Sequence, residues 1–394
     1  MKKSICSFIF GLVLFSSLAI ADSNFGLYVK DGKFYKDGKI VNAHGMNYFN
    51  LFLRVNQNEL KNAEDDFSWR EGLETLAREK VPFVRFSASP FYPVEWRIYL
   101  ENKEKYFANL DMIVREAEAN NVGLIPCLFW TYHTIQDLMG EPINAIGRGD
   151  SKTREFIRNY TKEVVSRYKN SPAIWGWEFG NEYTLCCDLP GEMAGVPRTI
   201  VSLGMPQERN PKVDKLLRVD VYNAYQEFAM IIKELDTRPV FTGDSIPRFC
   251  AFNNVKSATW KGDTLEEFKE IFLRDNPDPI DTLSIHAYED GMNTFVFAKD
   301  DYDKMMSICM EISTEIKKPL FIGEWGIAGD IANDIELMKK VDLMVNSIKQ
   351  NNVQLSAVWV FDYDPQKDLT IQSNNFRKDF FNKLHFLNNN NNNK

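Results

Sequence analysis

Residues 173–183 read AIWGWEFGNEY, an apolar, tryptophan-rich run that contains Asn181 and Glu182 near its end. A buried strand rarely ends in a carboxylate, because burying a charge is costly unless a partner or a ligand offsets that cost. A second stretch, PLFIGEWG at residues 319–326, has the same form around Glu324. Together they predict two buried strands, each carrying a carboxylate at or near its end.

Six further apolar runs of the same kind make eight in total. They cover residues 39–47, 81–88, 122–130, 239–244, 280–288 and 355–363. Near-continuous apolar strands are typical of parallel sheets that are buried on both faces. The eight runs therefore predict one parallel sheet.

Amphipathic stretches separate most of these runs. Apolar residues recur in them at spacings of three and four, which predicts helices at residues 68–80, 109–121, 153–170, 216–236, 303–318 and 334–352. Eight strands alternating with helices predict a single α/β domain that closes as a (β/α)8, or TIM, barrel. The alternative is an open doubly wound sheet, but HGMNYFN after the first run is not the glycine-rich phosphate turn expected there. Upstream, two Asp-Gly steps predict a short β-hairpin.

The chain ends have their own patterns. Residues 1–21 resemble a secretory signal peptide, with two lysines, an apolar run and small residues before Asp22. A membrane anchor is the alternative, but the run is shorter than the roughly 18 residues that span a bilayer. We therefore predict a secreted or periplasmic protein without a membrane segment after cleavage. Residues 22–387 would form the catalytic barrel domain, and the asparagine-rich residues 388–394 a disordered tail.

Composition excludes several classes of partner. The formal net charge is −8 and no basic patch is present, so nucleic acid is not an expected partner. A neutral polysaccharide meets no electrostatic obstacle. Four histidines and no zinc-type cysteine spacing predict no metal and no other cofactor. Either Cys186 or Cys187 could pair with Cys250, and we expect a monomer.

The carboxyl ends of barrel strands line one mouth of a (β/α)8 fold. The side chains predicted to meet there are Asn47, Arg85, Trp130, Asn181, Glu182, Asp244, His286, Tyr288, Glu324 and Trp359. Glu182 ends the fourth strand and Glu324 the seventh, so the two face each other across the mouth. Facing carboxylates suit glycoside hydrolysis, in which one is a general acid and the other a nucleophile or a base. The long connection at residues 184–214 should lie on the same face.

Six motifs, in order along the chain, resemble glycoside hydrolase family 5, the cellulase and β-mannanase family of retaining barrel glycosidases. WGWEFGNE resembles the acid/base motif and PLFIGEWG the nucleophile strand, and the others are GMNYF, VRFSA, IHAYED and VWVFDYD. The resemblance extends over nearly the whole chain after the signal segment.

The resemblance implies a role for each matching residue. Glu182 would be the acid/base and Glu324 the nucleophile, with carboxylates about 5–5.5 Å apart. The supporting residues would be Asn181 on the sugar 2-hydroxyl, Arg85 and Tyr288 beside the nucleophile, His286 beside the acid/base, and Trp359 as the platform under the sugar. We expect a raised pKa for Glu182, helped by the negative charge of Glu324.

The residue that ends the third strand bears on the substrate. Many cellulases of the family have a histidine there, whereas this chain has Trp130, which looks more like the mannanase branches. We therefore expect a secreted retaining endo-β-glycosidase acting on β-1,4-mannan, with β-1,4-glucan as the alternative. Endo or exo action stays open. A catalytically silent carbohydrate-binding protein is the alternative from another class, and a metal-dependent barrel hydrolase is disfavoured by the few histidines.

Overall fold

A computed structural model of the protein describes residues 25–61 and 67–389. The predicted signal segment and residues 390–394 of the predicted tail lie outside these ranges. Within them, no helix is both long enough and apolar enough to cross a membrane.

A small antiparallel sheet precedes the barrel. It consists of β1 (Tyr28–Lys30), β2 (Lys33–Lys36) and β3 (Lys39–Ile40), so the predicted hairpin has a third strand. Both Asp-Gly turns have positive φ, 50° and 71° at Asp31 and Gly32, which matches the primed turns that suit a hairpin's twist. Phe34 lies with its ring centroid 6.0 Å from that of Phe241, at the start of the barrel. The sheet therefore covers the amino-terminal end of the barrel.

Eight parallel strands form the predicted (β/α)8 barrel, which confirms the fold. They are β4 (Ala43–Asn47), β5 (Phe83–Ser87), β6 (Gly123–Phe129), β7 (Trp177–Gly180), β8 (Val240–Phe241), β9 (Leu283–His286), β10 (Leu320–Trp325) and β11 (Leu355–Val358). The hydrogen-bonded order is β8-β7-β6-β5-β4-β11-β10-β9.

Side chains link β8 to β9, the pair that lacks a backbone ladder. The Thr282 hydroxyl donates to the Val240 carbonyl at 2.7 Å, and the Thr242 amide donates to the Ser284 hydroxyl at 3.3 Å. Because β8 is only two residues long, these bonds complete the ring at its shortest strand.

Thirteen α-helices lie in the described part of the chain. They are α1 (Leu51–Lys61), α2 (Ser68–Arg78), α3 (Arg97–Glu101), α4 (Lys103–Asn120), α5 (Thr134–Met139), α6 (Lys152–Tyr168), α7 (Arg218–Leu235), α8 (Ala251–Ser257), α9 (Leu265–Arg274), α10 (Glu289–Met292), α11 (Tyr302–Ile316), α12 (Ile335–Gln350) and α13 (Asp379–Asn388). All six predicted helices are present; five agree with the prediction to within two residues at each end, and α4 begins six residues earlier than predicted.

The predicted start of the disordered tail is wrong at Asn388. This residue ends α13, its side-chain amide donates to the His44 carbonyl at 3.0 Å, and its side-chain oxygen accepts from the His44 amide at 2.8 Å. The pair of bonds ties the last helix to the first residues of β4. The asparagine-rich composition of residues 388–394 gives no indication of this contact between Asn388 and His44.

Alternation along β7 explains how an apolar strand delivers polar groups to the barrel interior. Trp177 and Phe179 point outward, and Phe179 packs against Tyr225 of α7 with ring centroids 4.9 Å apart. Glu178 points the other way and bonds Arg85 of β5. Successive side chains of a strand lie on opposite faces, so the helices cover one set while the other lines the interior.

Candidate active site

Two glutamates lie at the carboxyl-terminal mouth of the barrel. Glu182 lies two residues after β7, and Glu324 lies in β10. Around the ring, β8 and β9 separate these two strands on one side, and β6, β5, β4 and β11 separate them on the other. Single carboxylate oxygens of the two residues lie within 4.8 Å of each other. The separation is close to the spacing of retaining glycosidases.

Glu182 has an unusual backbone conformation. Its φ is +54°, in the left-handed region that L-residues with side chains seldom adopt. Its amide donates to the Gly243 carbonyl at 3.0 Å, which holds the turn against β8. Backbone strain of this kind is concentrated at functional sites. Here it directs the carboxylate into the mouth at the point where the strand ends.

Glu324 is nearly buried and has a donor on each carboxylate oxygen. Arg85 Nη1 donates to Oε1 at 2.9 Å, and the Tyr288 hydroxyl donates to Oε2 at 2.7 Å. Asn47 supports the same strand, since its side-chain amide donates to the Gly323 carbonyl at 2.8 Å. Charge-assisted bonds are the stronger kind, so this carboxylate is held in one orientation.

Arg85 is fully buried at the centre of the site. Besides Glu324, its guanidinium donates to Glu178, Asn47 and Asn181, with distances of 2.7–3.0 Å. Burial alone would lower the pKa of Arg85, but Glu178 and Glu324 raise it above its ordinary value. Burial raises the pKa of Glu178 to about 7, and Arg85 opposes that rise.

His286 lies between the two glutamates as a neutral side chain. Burial lowers its pKa to about 3. Its Nδ1 lies 2.9 Å from Glu182 Oε1 and 3.6 Å from Glu324 Oε1, whereas Nε2 has no hydrogen-bond partner among the described residues. A proton on Nδ1 can be donated to Glu182, and Nε2 is then an unpaired acceptor. The other tautomer would leave an unpaired N–H at Nε2 and place the lone pair of Nδ1 against the carboxylates, which costs more free energy. We therefore place the proton on Nδ1.

The pKa of Glu182 is raised, in the predicted direction but chiefly for a different reason. Burial is the main cause, Asp290 adds to the rise, and Arg85 and Arg248 oppose it. Glu324, the charge expected to help, is not among the causes. Arg85 and Tyr288 compensate the charge of Glu324 directly, which leaves desolvation as the dominant effect at Glu182.

Two adjoining cavities meet at Glu182. The smaller, about 400 Å³, is lined by both glutamates, Asn181 and the aromatic residues Phe49, Phe91, Trp130, Trp359 and Tyr363. The larger, about 690 Å³, is lined by Glu182, His286, Arg248 and Asp290 among others, but not by Glu324. The mouth is therefore divided into an aromatic side and a side with more charged residues.

The two tryptophans of the smaller cavity are held in place by their neighbours. Trp359 Nε1 donates to the Gln366 side-chain oxygen at 2.6 Å. The Trp130 ring lies 4.6 Å from the Arg85 guanidinium carbon, a stacked cation–π contact. All eight residues of the predicted site, Arg85, Trp130, Asn181, Glu182, His286, Tyr288, Glu324 and Trp359, thus lie at this one mouth.

Asp244 was placed at the mouth by the sequence but has a different position. It is buried, its Oδ1 accepts from the Thr184 amide at 3.0 Å, and its Oδ2 accepts from the Tyr225 hydroxyl at 2.7 Å. These bonds fix the segment that follows Glu182. Asp244 therefore supports the site from behind.

Three residues of the site escaped the sequence analysis: Glu178, Arg248 and Asp290. Glu178 could have been identified from the sequence. A carboxylate in the middle of a buried strand needs a buried cation as its partner, and Arg85 lies in the middle of another buried strand. Arg248 follows β8 in a loop, and Asp290 lies in α10, a helix of four residues after β9. Neither a loop nor so short a helix has a periodicity that would mark its residues.

The long connection at residues 184–214 lies on the predicted face but to one side. Arg209 bonds Asp137 through both guanidinium Nη atoms, at 2.6 and 2.7 Å, and the Tyr132 hydroxyl donates to the Gly195 carbonyl at 3.4 Å. The connection is thus anchored to the segment after β6. Of its residues, only Leu185 lines either cavity.

The suggested disulfide is wrong. Cys186, Cys187 and Cys250 are all free thiols in the structure. Cys187 Sγ lies 3.4 Å from the Tyr183 carbonyl oxygen, and Cys250 Sγ lies 3.6 Å from the Asn254 side-chain oxygen. Each of these two buried sulfurs has a local hydrogen-bond acceptor.

A barrel with two facing carboxylates at its carboxyl-terminal mouth has the architecture of a glycoside hydrolase. A family model for cellulase (glycosyl hydrolase family 5) matches residues 36–364, and the chain belongs to that family.

Individual proteins match the chain either over a short segment or at low sequence identity. Mannan endo-1,4-β-mannosidase A of Podospora anserina is 38% identical over 79 residues, which is 18% of this chain and 21% of that protein. The chain thus spans about a fifth of the length of the curated relatives it matches. An endo-1,4-β-mannanase structure from Rhizomucor miehei has a TM-score of 0.62 at 16% identity, with 92% of this chain and 99% of that chain covered. A Saccharophagus degradans β-glucanase with cellotetraose has a TM-score of 0.55 at 16% identity, with 92% and 93% covered. These structures share the fold.

Proposed function

We propose that this protein is a retaining glycoside hydrolase that cleaves internal β-1,4 linkages of a mannan. The observation that carries the proposal is the pair of glutamates, with oxygens within 4.8 Å, on facing strands of a family 5 barrel. In this spacing there is room for a nucleophile and an acid/base on one sugar, but not for a water molecule between the sugar and the second carboxylate.

The first half of the reaction forms a covalent intermediate. A Glu324 oxygen attacks the anomeric carbon, the bond from that carbon to the glycosidic oxygen breaks, and the Glu182 proton passes to the leaving oxygen. The raised pKa of Glu182 keeps that proton in place at a pH where an ordinary glutamate has lost it. Glu324 accepts hydrogen bonds from Arg85 and Tyr288, which hold its carboxylate in one orientation for the attack.

The second half releases the sugar. Glu182, now a carboxylate, takes a proton from water, and the resulting hydroxide equivalent attacks the anomeric carbon and displaces Glu324. The Nδ1 proton of His286 bonds Glu182 in its charged form. Inversion occurs at each step, so the product keeps the configuration of the substrate.

Asn181 and Trp359 complete the sugar site in this proposal. Arg85 holds the Asn181 side-chain oxygen at 2.8 Å, which leaves the amide nitrogen free to donate to a sugar hydroxyl. Trp359 lines the smaller cavity with both glutamates, and an aromatic face suits the apolar C–H face of a pyranose.

Mannan is preferred over glucan for two reasons. Trp130 occupies the position where the cellulase branch of the family carries a histidine, and the curated relatives that match part of the chain are named mannan endo-1,4-β-mannosidases. We further propose that residues 1–21 direct export, and that the exported protein works as a monomer. A β-1,4-glucan substrate is the second candidate, since the structural neighbours include a β-glucanase.

The test measures product release from galactomannan, glucomannan and a soluble cellulose derivative by the mature protein and by Glu324→Ala. We expect release from the mannans and at least about a 10⁴-fold loss in the variant, at an unchanged unfolding midpoint. NMR of the first products should show the retained anomer. Near-wild-type release by the variant would refute the assignment of Glu324, and binding of a polymer without any hydrolysis would favour a carbohydrate-binding protein.

A further inference from the structure

One tryptophan differs from all the others. The chain has eight, and seven are buried, whereas Trp260 is 51% exposed. Its indole makes no hydrogen bond or ring contact with the described residues. A large aromatic side chain gains most from burial, so an exposed one in a protein with a well-filled core calls for an explanation.

The segment that carries Trp260 is held firmly on both sides. Before it, Asn254 donates to the Thr259 carbonyl at 2.7 Å. After it, the buried Asp263 accepts from the Phe252 amide at 2.8 Å and donates its own amide to the Phe249 carbonyl at 2.7 Å. The exposure of the indole is therefore not the result of a loose loop. The backbone that carries the ring is anchored on both sides of Trp260.

The segment that carries Trp260 passes beside the larger cavity. A β-carbon on Gly262 would lie 3.5 Å from Val296 Cγ2 and 3.7 Å from Phe249 Cδ2, so the segment packs beside both residues. Phe249 lines the cavity, and Val296 is 76% exposed just beyond Thr294, which also lines it. We call Phe249, Trp260 and Val296 the rim platform.

The residues that line the two cavities indicate which end of a bound polysaccharide would lie on the rim platform. Both glutamates line the smaller cavity, so it holds the sugar that is attacked. The larger cavity has Glu182 without Glu324. The acid meets the leaving oxygen, so the sugars of the leaving group occupy the larger cavity and continue toward the rim.

We propose that the rim platform is a distal subsite on the leaving-group side, where a pyranose of the polysaccharide stacks on the Trp260 indole. A neutral sugar with an apolar C–H face and a polar edge matches an exposed aromatic ring on an anchored backbone segment. The inference rests on the proposed function, because its occupant is the substrate chain. If it is correct, Trp260 favours long polysaccharide substrates over short oligosaccharides.

The test uses the Glu324→Ala protein, so that polymers are bound and not consumed. Retardation in native gels containing galactomannan, glucomannan or a soluble cellulose derivative gives the affinity. We expect Trp260→Ala to weaken the best-bound polymer about five-fold and Trp260→Phe to keep most of the affinity. The matched control is Phe386→Ala, an exposed aromatic on α13, whose Asn388 contacts the opposite end of the barrel; it should change nothing.

The outcomes separate the two proposals. Equal retardation with and without Trp260, in a protein whose wild type hydrolyses the polymer, overturns the rim platform and leaves the proposed function standing. If wild type hydrolyses none of the polymers and Glu324→Ala binds none, both fall. With Glu324 intact, Trp260→Ala should raise KM for the polymer but affect a trisaccharide less than about two-fold. An equal change for both substrates would also overturn the platform.

Discussion

The two charges on the wall of the larger cavity should move the pH profile in opposite directions. Asp290 raises the pKa of Glu182 and Arg248 lowers it. Glu182 must hold a proton when the glycosidic bond breaks, so the alkaline limb of kcat/KM follows its pKa. Asp290→Asn removes the raising charge, and the limb moves to lower pH. Arg248→Gln removes the lowering charge, and the limb moves to higher pH.

The size of the effect follows from the geometry. All three residues line one cavity of about 690 Å³ that opens to solvent. Unit charges about 10 Å apart in a medium close to water interact by roughly 0.4–0.8 kcal/mol, or about 0.3–0.6 pH unit. Screening by ions leaves most of this interaction energy at about 10 mM salt and less than a third of it at about 150 mM. We therefore expect shifts of about 0.3 unit at low salt.

The assay is the pH dependence of kcat/KM at both salt concentrations. Arg248→Lys keeps the charge and is the matched control, whose limb should stay near that of wild type. The Asp290→Asn/Arg248→Gln double variant should return toward the wild-type limb. Shifts of the same sign in the two single variants, or shifts that do not shrink with salt, would refute the reasoning.

Two further predictions concern stability and the nucleophile. Burial lowers the pKa of His44 to about 3, so only the unfolded chain takes up its proton below about 6.5, and folding stability is lost as pH falls. Between pH 6.5 and 4.5 this loss is about 2 kcal/mol, and His44→Gln should remove it from the difference between urea unfolding curves at the two values. Tyr288→Phe removes a 2.7 Å bond to Glu324 and should lower kcat/KM about 10- to 100-fold.

Controls for both predictions come from the same chain. Tyr225→Phe removes a tyrosine–carboxylate bond of the same 2.7 Å length, to Asp244 outside the cavities, and should cost stability with little change in kcat/KM. A similar kinetic loss in this variant would mean that the Tyr288 effect is structural. An unchanged pH dependence of unfolding in His44→Gln would show that the histidine is protonated in the folded state.

The fold was predictable because the same pattern, an apolar run typical of a buried strand, is repeated along the whole chain. Eight apolar runs, each confirmed as a strand, allow few other architectures. Two helices between β8 and β9, α8 and α9, were not predicted, which shows the limit of periodicity alone. α9 has a capping box, in which Thr264 accepts from the Glu267 amide and Glu267 accepts from the Thr264 amide. That signal is present in the sequence, and a search for caps as well as for spacing would have found it.

The positions of the site residues were predictable to the extent that strands determined them. Arg85, Glu182 and Glu324 lie at or near strand ends, so the barrel alone brings them together. Asp244 also follows a strand, yet its side chain faces Thr184 and Tyr225. Which way a side chain points after the last strand residue depends on the local turn, and the spacing of sequence runs carries no information on that turn.

Arg85 explains why a buried network of charges is stable in the middle of an apolar barrel. A buried carboxylate without a partner is costly, and so is a lone guanidinium. Arg85 donates to Glu178 on one side and to Glu324 on the other, and Asn47 and Asn181 each accept one further N–H. Glu178 reaches neither cavity. Its contribution is to hold the guanidinium so that Arg85 presents one fixed edge to Glu324, and the geometry of the mouth therefore depends on a residue that no substrate touches.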